Sequence, residues 1–191
     1  NIDHGSGLER IAAAKINDPD VFKISLMWPI IEKLEQLSGK KYESHTTSMR
    51  VIADHLRAAT FLAVDGCVPS NKEQGYVMRR LLRRAIRFAF DLGIEQNFFE
   101  QIVPTIADLY HDDYPEVAKS RDEIIAVLIK EEKVFRQTLR KGLQQLQKFA
   151  ADGLTGNELF TLYDTYGFPV ELSTEEAFKQ EIKLRSEERR V

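Results

Sequence analysis

Residues 76–90 read YVMRRLLRRAIRFAF, and the spacing of their charges decides what kind of fold this chain adopts. At 100° per residue, Arg79, Arg80, Arg83, Arg84 and Arg87 fall within an arc of about 140°. Leu81, Leu82, Ala85, Ile86, Phe88 and Ala89 take the opposite side. A strand's period of two would mix these sets; a helical period separates them, so the stretch is an amphipathic helix with one face to bury. The arginine side carries no interleaved acid. Either it pairs with acids on neighbouring helices, and the chain has 30 Asp and Glu to offer, or it faces an anionic ligand. Arginine without lysine suits planar, bidentate recognition of phosphate or carboxylate. Phosphates spaced along a nucleic-acid backbone match such a strip.

Upstream, the loop DGCVPSNKEQG places Ser70 and Glu73 at capping-box spacing, which predicts a helix start close to Asn71. Asn71 can donate and accept hydrogen bonds where helix N–H groups welcome an anion, or it can serve only as a turn residue. Residues 48–64, SMRVIADHLRAATFLAV, form a largely apolar helix whose polar stripe is Arg50, Asp54 and Arg57. That spacing predicts an ion network with Asp54 between two arginines. His55 falls on the apolar side as a hydrogen-bonded core histidine. Earlier still, Ser25 is a candidate cap for a helix with Pro29 in its early turns and Gly39 at its end. The chain opens NIDHGSGLER, where Gly5, Gly7 and Arg10 form a G-x-G-x-x-R run. Such a run brings backbone close to a ligand and then offers a guanidinium; equally, Glu9 and Arg10 can begin the helix LERIAAAK.

Downstream, a helix is predicted near residues 97–110, with Pro104 as a bend. Ser120 and Glu123 then open a long helix in which Ile125, Leu128, Phe135, Leu139, Leu146 and Phe149 make a stripe. Glu132 and Gly142 interrupt it, and the expected partner of this seam is the set of earlier helices. AADGLTG marks a boundary. Thr155 and Glu158 start a helix that Gly167 and Pro169 end, and Ser173 and Glu176 start another that runs into RSEERRV. In LYDTYGFPVEL, Asp164 lies near a helix C-terminus, where the dipole disfavours a carboxylate. Accepting a hydrogen bond from an exposed amino group is one reason for it to be there; capping the next turn is the other.

At 191 residues the chain suits one domain or one with a small appendage. Its net charge of -3 does not mark a nucleic-acid binder overall, so any such site is a local patch. Cys67 is the only cysteine, which excludes an internal disulfide and a thiolate-rich zinc site. His4, His45, His55 and His111 show no ligand spacing. No apolar run approaches the roughly 18 residues of a membrane span, and no signal peptide is evident. The expectation is a reduced, cytoplasmic protein without a membrane partner. Its fold class is all-α: a helical bundle, then a small helix-loop-helix unit.

Three stretches, DHGSGLER, RVIADHLRAATFLAVDGCVPSNKEQGYVMRRLLRRAIR and LYDTYGFPVEL, resemble the alanyl-tRNA synthetases in order and spacing. The family more often has threonine at position 4 and a bulky apolar residue at position 6; His4 and Ser6 depart from that. The resemblance implies that residues 1–15 are a remnant of the class II catalytic domain, 16–153 a tRNA-recognition bundle and 154–191 a small helical subdomain. It implies that Arg10 contacts ATP phosphates and that Gly5 and Gly7 let the backbone pass beneath the adenine side. It implies that Asn71 and Asp164 read a G·U wobble pair in the acceptor stem of alanine tRNA, beside the basic face of Arg79, Arg80, Arg83, Arg84 and Arg87. The partners implied are that stem and the remaining domains of the parent ligase. ATP and Mg2+ belong to the parent's catalysis and zinc to its editing domain, with none expected bound to this piece, which is expected to bind tRNA without activating alanine. Two rival readings are a helix-turn-helix DNA-binding module around YGFPVEL and a purely structural linker. The three glutamates of TEEAFKQEIK, the candidate second helix, oppose the first.

Overall fold

A computed structural model describes residues 5–149 and 153–184. His4 and the RSEERRV tail lie outside the described residues, as does the AAD segment of the expected boundary. Among the described residues every regular element is helical, and the only β feature is an isolated bridge between Leu154 and Leu184. The helices are α1 (Leu8–Lys15), α2 (Trp28–Ser38), α3 (Thr46–Val64), α4 (Glu73–Asp91), α5 (Phe99–Tyr110), α6 (Pro115–Lys119), α7 (Arg121–Phe149), α8 (Gly156–Tyr166) and α9 (Val170–Lys179). Two 3-10 turns, Val21–Lys23 and Tyr42–Ser44, connect the early helices. The chain forms two compact units, Asn1–Ile129 and Lys130–Val191.

In the first unit α3 and α4 form the most extensive helix pair. Ile52, Ala53, Leu56 and Ala59 of α3 are buried, as are Met78, Leu82, Ala85, Ile86 and Ala89 of α4. Leu82, Ala85, Ile86 and Ala89 are among the residues that the arginine spacing placed opposite the strip, while Leu81 and Phe88 are half-buried; alanines between larger side chains let ridges seat in grooves. Each buried leucine or isoleucine contributes about 1.5–3 kcal/mol relative to exposure. α2 packs against α3 and α5 through Ile30, Ile31 and Leu34, and α5 contributes Ile102, Val103 and Ile106. α5 continues through Pro104.

At three helices the structure replaces the expected capping residue. α2 begins at Trp28, with Met27 rather than Ser25 at its N-cap and Pro29 in its first turn. Buried Ile24 and Met27 close a tight turn there, with the Met27 and Trp28 N–H groups donating to the Ile24 carbonyl, and Ser25 stays outside it. α4 begins at Glu73 with Lys72 at the N-cap. Ser70 is engaged within its own loop: its Oγ donates to the Lys72 carbonyl at 2.9 Å and accepts from the Lys72 N–H at 3.2 Å. α9 starts at Val170, so Ser173 and Glu176 lie inside it and are buried. By contrast, α8 has the predicted capping box between Thr155 and Glu158, and Gly167 ends it at φ 67°. At that angle glycine incurs no Cβ penalty.

The long helix begins in the first unit and continues into the C-terminal one. Its first turns, with Ser120, Glu123, Ile124 and Val127, line a recess with Ala63, Val64, Gly66, Cys67 and Val68 at the end of α3. Within the C-terminal unit, its residues from Phe135 onward pack against the segment after α8. Phe135 and Phe168 have ring centroids 5.6 Å apart. Gly142 is no defect in the stripe: a Cβ there would come within 2.7 Å of Phe168 Cδ2, so the missing side chain is the seat for that ring. Glu132, fully buried, accepts from Arg136 Nε at 3.0 Å, one turn along.

Candidate nucleic-acid interface

The loop before α4 is held tightly over that helix's first turn. The Ser70 N–H donates to the Gly75 carbonyl at 3.0 Å. A Cβ at Gly75 would overlap Ser70 Oγ and lie 2.5 Å from the Val68 carbonyl oxygen. Only glycine lets the loop approach this closely, and the result is that Asn71 stands exposed at the head of the arginine strip. Arg79 reaches back to it: Nη1 donates to Asn71 Oδ1, while Nη2 donates to the Pro69 carbonyl at 3.3 Å. The carbonyl end of the Asn71 amide is therefore engaged, and its NH2 is the group turned to further use. Sequence reading missed this link, although Arg79 lies eight residues after Asn71 and so two turns into the helix that follows it.

The rest of the strip is partly tethered. Arg80 lies over the Tyr76 ring at 5.9 Å, and Arg84 over the Phe88 ring at 5.7 Å. Arg79, Arg80, Arg83 and Arg84 are half-buried, with their aliphatic stems against the helix surface. Arg87 differs. Its side chain is 7% exposed and Nη1 donates to Asp91 Oδ1 at 2.6 Å, so it is engaged internally.

Arg84 also connects α4 to α3. Its Nη1 lies 3.3 Å from His55 Nε2, and His55 Nδ1 lies 3.0 Å from Asp54 Oδ2. Arginine has only donors, so Nε2 accepts and the ring proton sits on Nδ1, donated to Asp54. His55 is thus a hydrogen-bonded core histidine, as its position on the apolar side predicts. The hydrogen bond from His55 holds the Asp54 carboxyl below its usual range against the opposing effect of burial.

The expected network of Asp54 between Arg50 and Arg57 does not form. Each arginine bonds a partner remote in sequence instead. Arg50 Nη2 donates to Asp20 Oδ2 at 2.9 Å and its Nε to the Tyr42 hydroxyl at 2.7 Å. The Tyr42 hydroxyl donates to Asp20 at 2.5 Å. Burial, reinforced by this bond, pushes the Tyr42 phenol up to about 12. At Asp20 burial works upward, but bonds from Tyr42, the Phe22 N–H and Arg50 outweigh it and the carboxyl is held low. Arg57 Nη1 donates to Glu9 at 3.0 Å and to the Tyr110 hydroxyl at 3.2 Å. That pair fastens α1 to α3 beside Arg10.

Gly5 and Gly7 are exposed, and Gly7 is the N-cap of α1. Arg10, also exposed, is in the first turn, and Gly7, Glu9 and Arg10 share a recess of about 390 Å³ with Val21, Phe22, Met27, Asp54 and Arg57. Helix-terminal N–H groups next to a guanidinium fit a phosphate. No group of three His, Cys, Asp or Glu able to hold a metal occurs among the described residues. No helix there is long and apolar enough to cross a membrane.

In the C-terminal unit Asp164 is exposed in the last turn of α8. Phe168, close to it in sequence, turns inward against Phe135 and Gly142. The side chain at 164 is therefore displayed from a helix whose end is fixed by a buried ring and a left-handed glycine.

A sequence profile of the tRNA synthetases class II (A) matches residues 1–190. The chain belongs to this family. Among class II (A) relatives, the alanine–tRNA ligase of Halalkalibacterium halodurans is 43% identical over 194 residues, 96% of this chain and 22% of the relative. That of Oceanobacillus iheyensis is 46% identical over 191 residues, 95% of this chain and 22% of the relative. That of Streptococcus agalactiae is 43% identical over 196 residues, 98% of this chain and 22% of the relative. The chain thus spans about a fifth of the length of the curated relatives it matches.

Proposed function

We propose that this chain is the acceptor-stem recognition part of an alanine–tRNA ligase, an enzyme that attaches alanine to its tRNA with ATP. The observation that carries the reading is the engaged amide of Asn71 at the head of a helix bearing four half-buried arginines. The arginines of α4 lie along phosphates and set the register, while Asn71 and Asp164 read base edges. Arg87, bonded to Asp91, supports the strip from within.

The chemistry of the two readers is complementary. An A-form stem presents a wide, shallow minor groove, in which the guanine amino group is a donor and the pyrimidine O2 an acceptor. A G·U pair leaves the guanine amino group unpaired. The Asp164 carboxylate accepts from that amino group, and the Asn71 NH2 donates to an acceptor on the same face. In the parent ligase Arg10 and the first turn of α1 would hold ATP phosphates with Mg2+, and Gly5 and Gly7 would admit the adenine side. Zinc would belong to the editing domain. The chain alone binds the stem without activating alanine, in the cytoplasm where charged tRNA is used; ATP–pyrophosphate exchange by it would sink that part.

The decisive test is fluorescence anisotropy with a labelled acceptor-stem hairpin carrying G·U and its G·C counterpart. Wild type should prefer G·U, and Asn71→Ala and Asp164→Ala should each lose about 1–3 kcal/mol of that discrimination. Equal affinity for both hairpins in wild type would return the chain to a structural linker. Tighter binding to duplex DNA than to the hairpin would favour the DNA-binding module.

A further inference from the structure

The outward face of α8 has a composition that base reading by Asp164 alone does not explain. Asn157, Phe160, Thr161 and Asp164 follow at i, i+3, i+4 and i+7, so they form one stripe along the helix. All four are exposed. Phe160 keeps 64% of its surface in water, one turn before Asp164. The stripe has no lysine or arginine and its only charge is negative, so it repels phosphate. Its groups are an amide, a hydroxyl, a carboxylate and an aromatic ring. That set suits the floor of a nucleic-acid groove, where sugar edges and base edges are offered and phosphates stand at the rim.

Resting on the acceptor-stem reading, we infer that Phe160 is a positioning residue for the tRNA, packing its ring on the ribose edge next to the base pair that Asp164 reads. An i, i+4 pair stands about 6 Å apart along a helix, comparable to two nucleotide steps of a stem. A ring held there anchors the sugar edge in the shallow groove to the same extent whether the neighbouring pair is G·U or G·C. Ribose carries no base identity, so Phe160 adds affinity and not preference. Asn157, a further turn back, adds a polar contact to the sugar hydroxyls that RNA alone provides.

Phe178 supplies the control, because it is 87% exposed on α9 and lies off this stripe. The test measures binding of the 191-residue chain to the G·U and G·C hairpins for wild type, Phe160→Ala, Phe160→Leu, Phe178→Ala and Asp164→Ala. Unchanged helical circular dichroism melting is checked for each. Phe160→Ala should lose about tenfold affinity, in line with aromatic contacts to nucleotides, by the same factor on both hairpins. Phe160→Leu should recover part of it, and Phe178→Ala should bind as wild type. If Phe160→Ala binds normally while Asp164→Ala loses G·U preference, the inference fails and the acceptor-stem reading stands. An equal loss in Phe178→Ala also overturns it, since exposed rings would then act non-specifically. If wild type shows no G·U preference, the underlying reading fails and takes the inference with it.

Discussion

The helix faces of α4 and α8 contrast in almost every respect. α4 offers a row of guanidinium groups, half-buried and tethered to Asn71, Pro69, Tyr76, His55 and Phe88. α8 offers a short, exposed stripe with one carboxylate and no cation. The first holds charge in a fixed pattern; the second displays neutral and acidic groups. Affinity and discrimination are therefore expected to reside on different helices. They should also respond differently to salt and to substitution.

Two glycines set up these two helix faces, and substituting them should have the largest effects. Gly142→Ala drives a Cβ into Phe168 and should lower stability by about 1–3 kcal/mol, as overpacking does, read as a fall in the denaturant midpoint. G·U preference should drop with it, because Phe168 fixes the end of α8. Gly75→Ala should give a loss of similar size but damage the Asn71 loop, since the added Cβ meets the Val68 carbonyl, which cannot move aside as a side-chain tip can.

Salt sharpens the contrast next. If Arg79, Arg80, Arg83 and Arg84 each neutralise a phosphate, the slope of log affinity against log salt should be about −3 to −4. Arg83→Gln should reduce its magnitude by about 1, leaving the hairpin preference alone. Asp164→Asn should do the reverse, weakening preference at an unchanged slope. A slope near zero for wild type would show that the tethers on α4 are purely structural.

The smallest effect concerns the first unit's own stability. Tyr42 in the folded chain titrates at about 12, above the value of about 10 for a free phenol. Between those values the unfolded chain has lost a proton that the folded one keeps. Stability from this group is therefore complete below about pH 10 and declines as pH rises toward 12. Tyr42→Phe should flatten that decline in alkaline melts. Asp20 works in the opposite range: its lowered carboxyl contributes above the usual carboxylate range and is lost as acid protonates it. Asp20→Asn should therefore flatten the acid limb.

Much of this was legible in the sequence where the signals are local. The arginine period located α4 and its buried side, and Thr155, Glu158 and Gly167 defined α8 at both ends. The same Ser-x-x-Glu pattern misled at Ser70 and Ser173. A cap also needs an extended residue at the right point, and burial of Leu172 and Ala177 draws the start of α9 forward to Val170. The charges of α3 misled for another reason. Arg50 and Arg57 pair with Asp20 and Glu9, 30 and 48 residues away, and no helical spacing encodes such partners. Spacing alone makes Gly142 an interruption, because the ring that occupies its place comes from a later segment. For the candidate site, residue types were legible, whereas the engagement of Asn71 by Arg79 and the withdrawal of Arg87 depend on three-dimensional packing that no spacing encodes.

Cys67 gives the molecule an optical address. It is the sole thiol of the chain, half-buried in the recess between the end of α3 and the first turns of α7. It lies four residues before Asn71 on the same loop. A single maleimide dye would therefore label one place without any engineered cysteine. Its emission would report the loop's surroundings in real time, and so whether RNA reaches the loop at all.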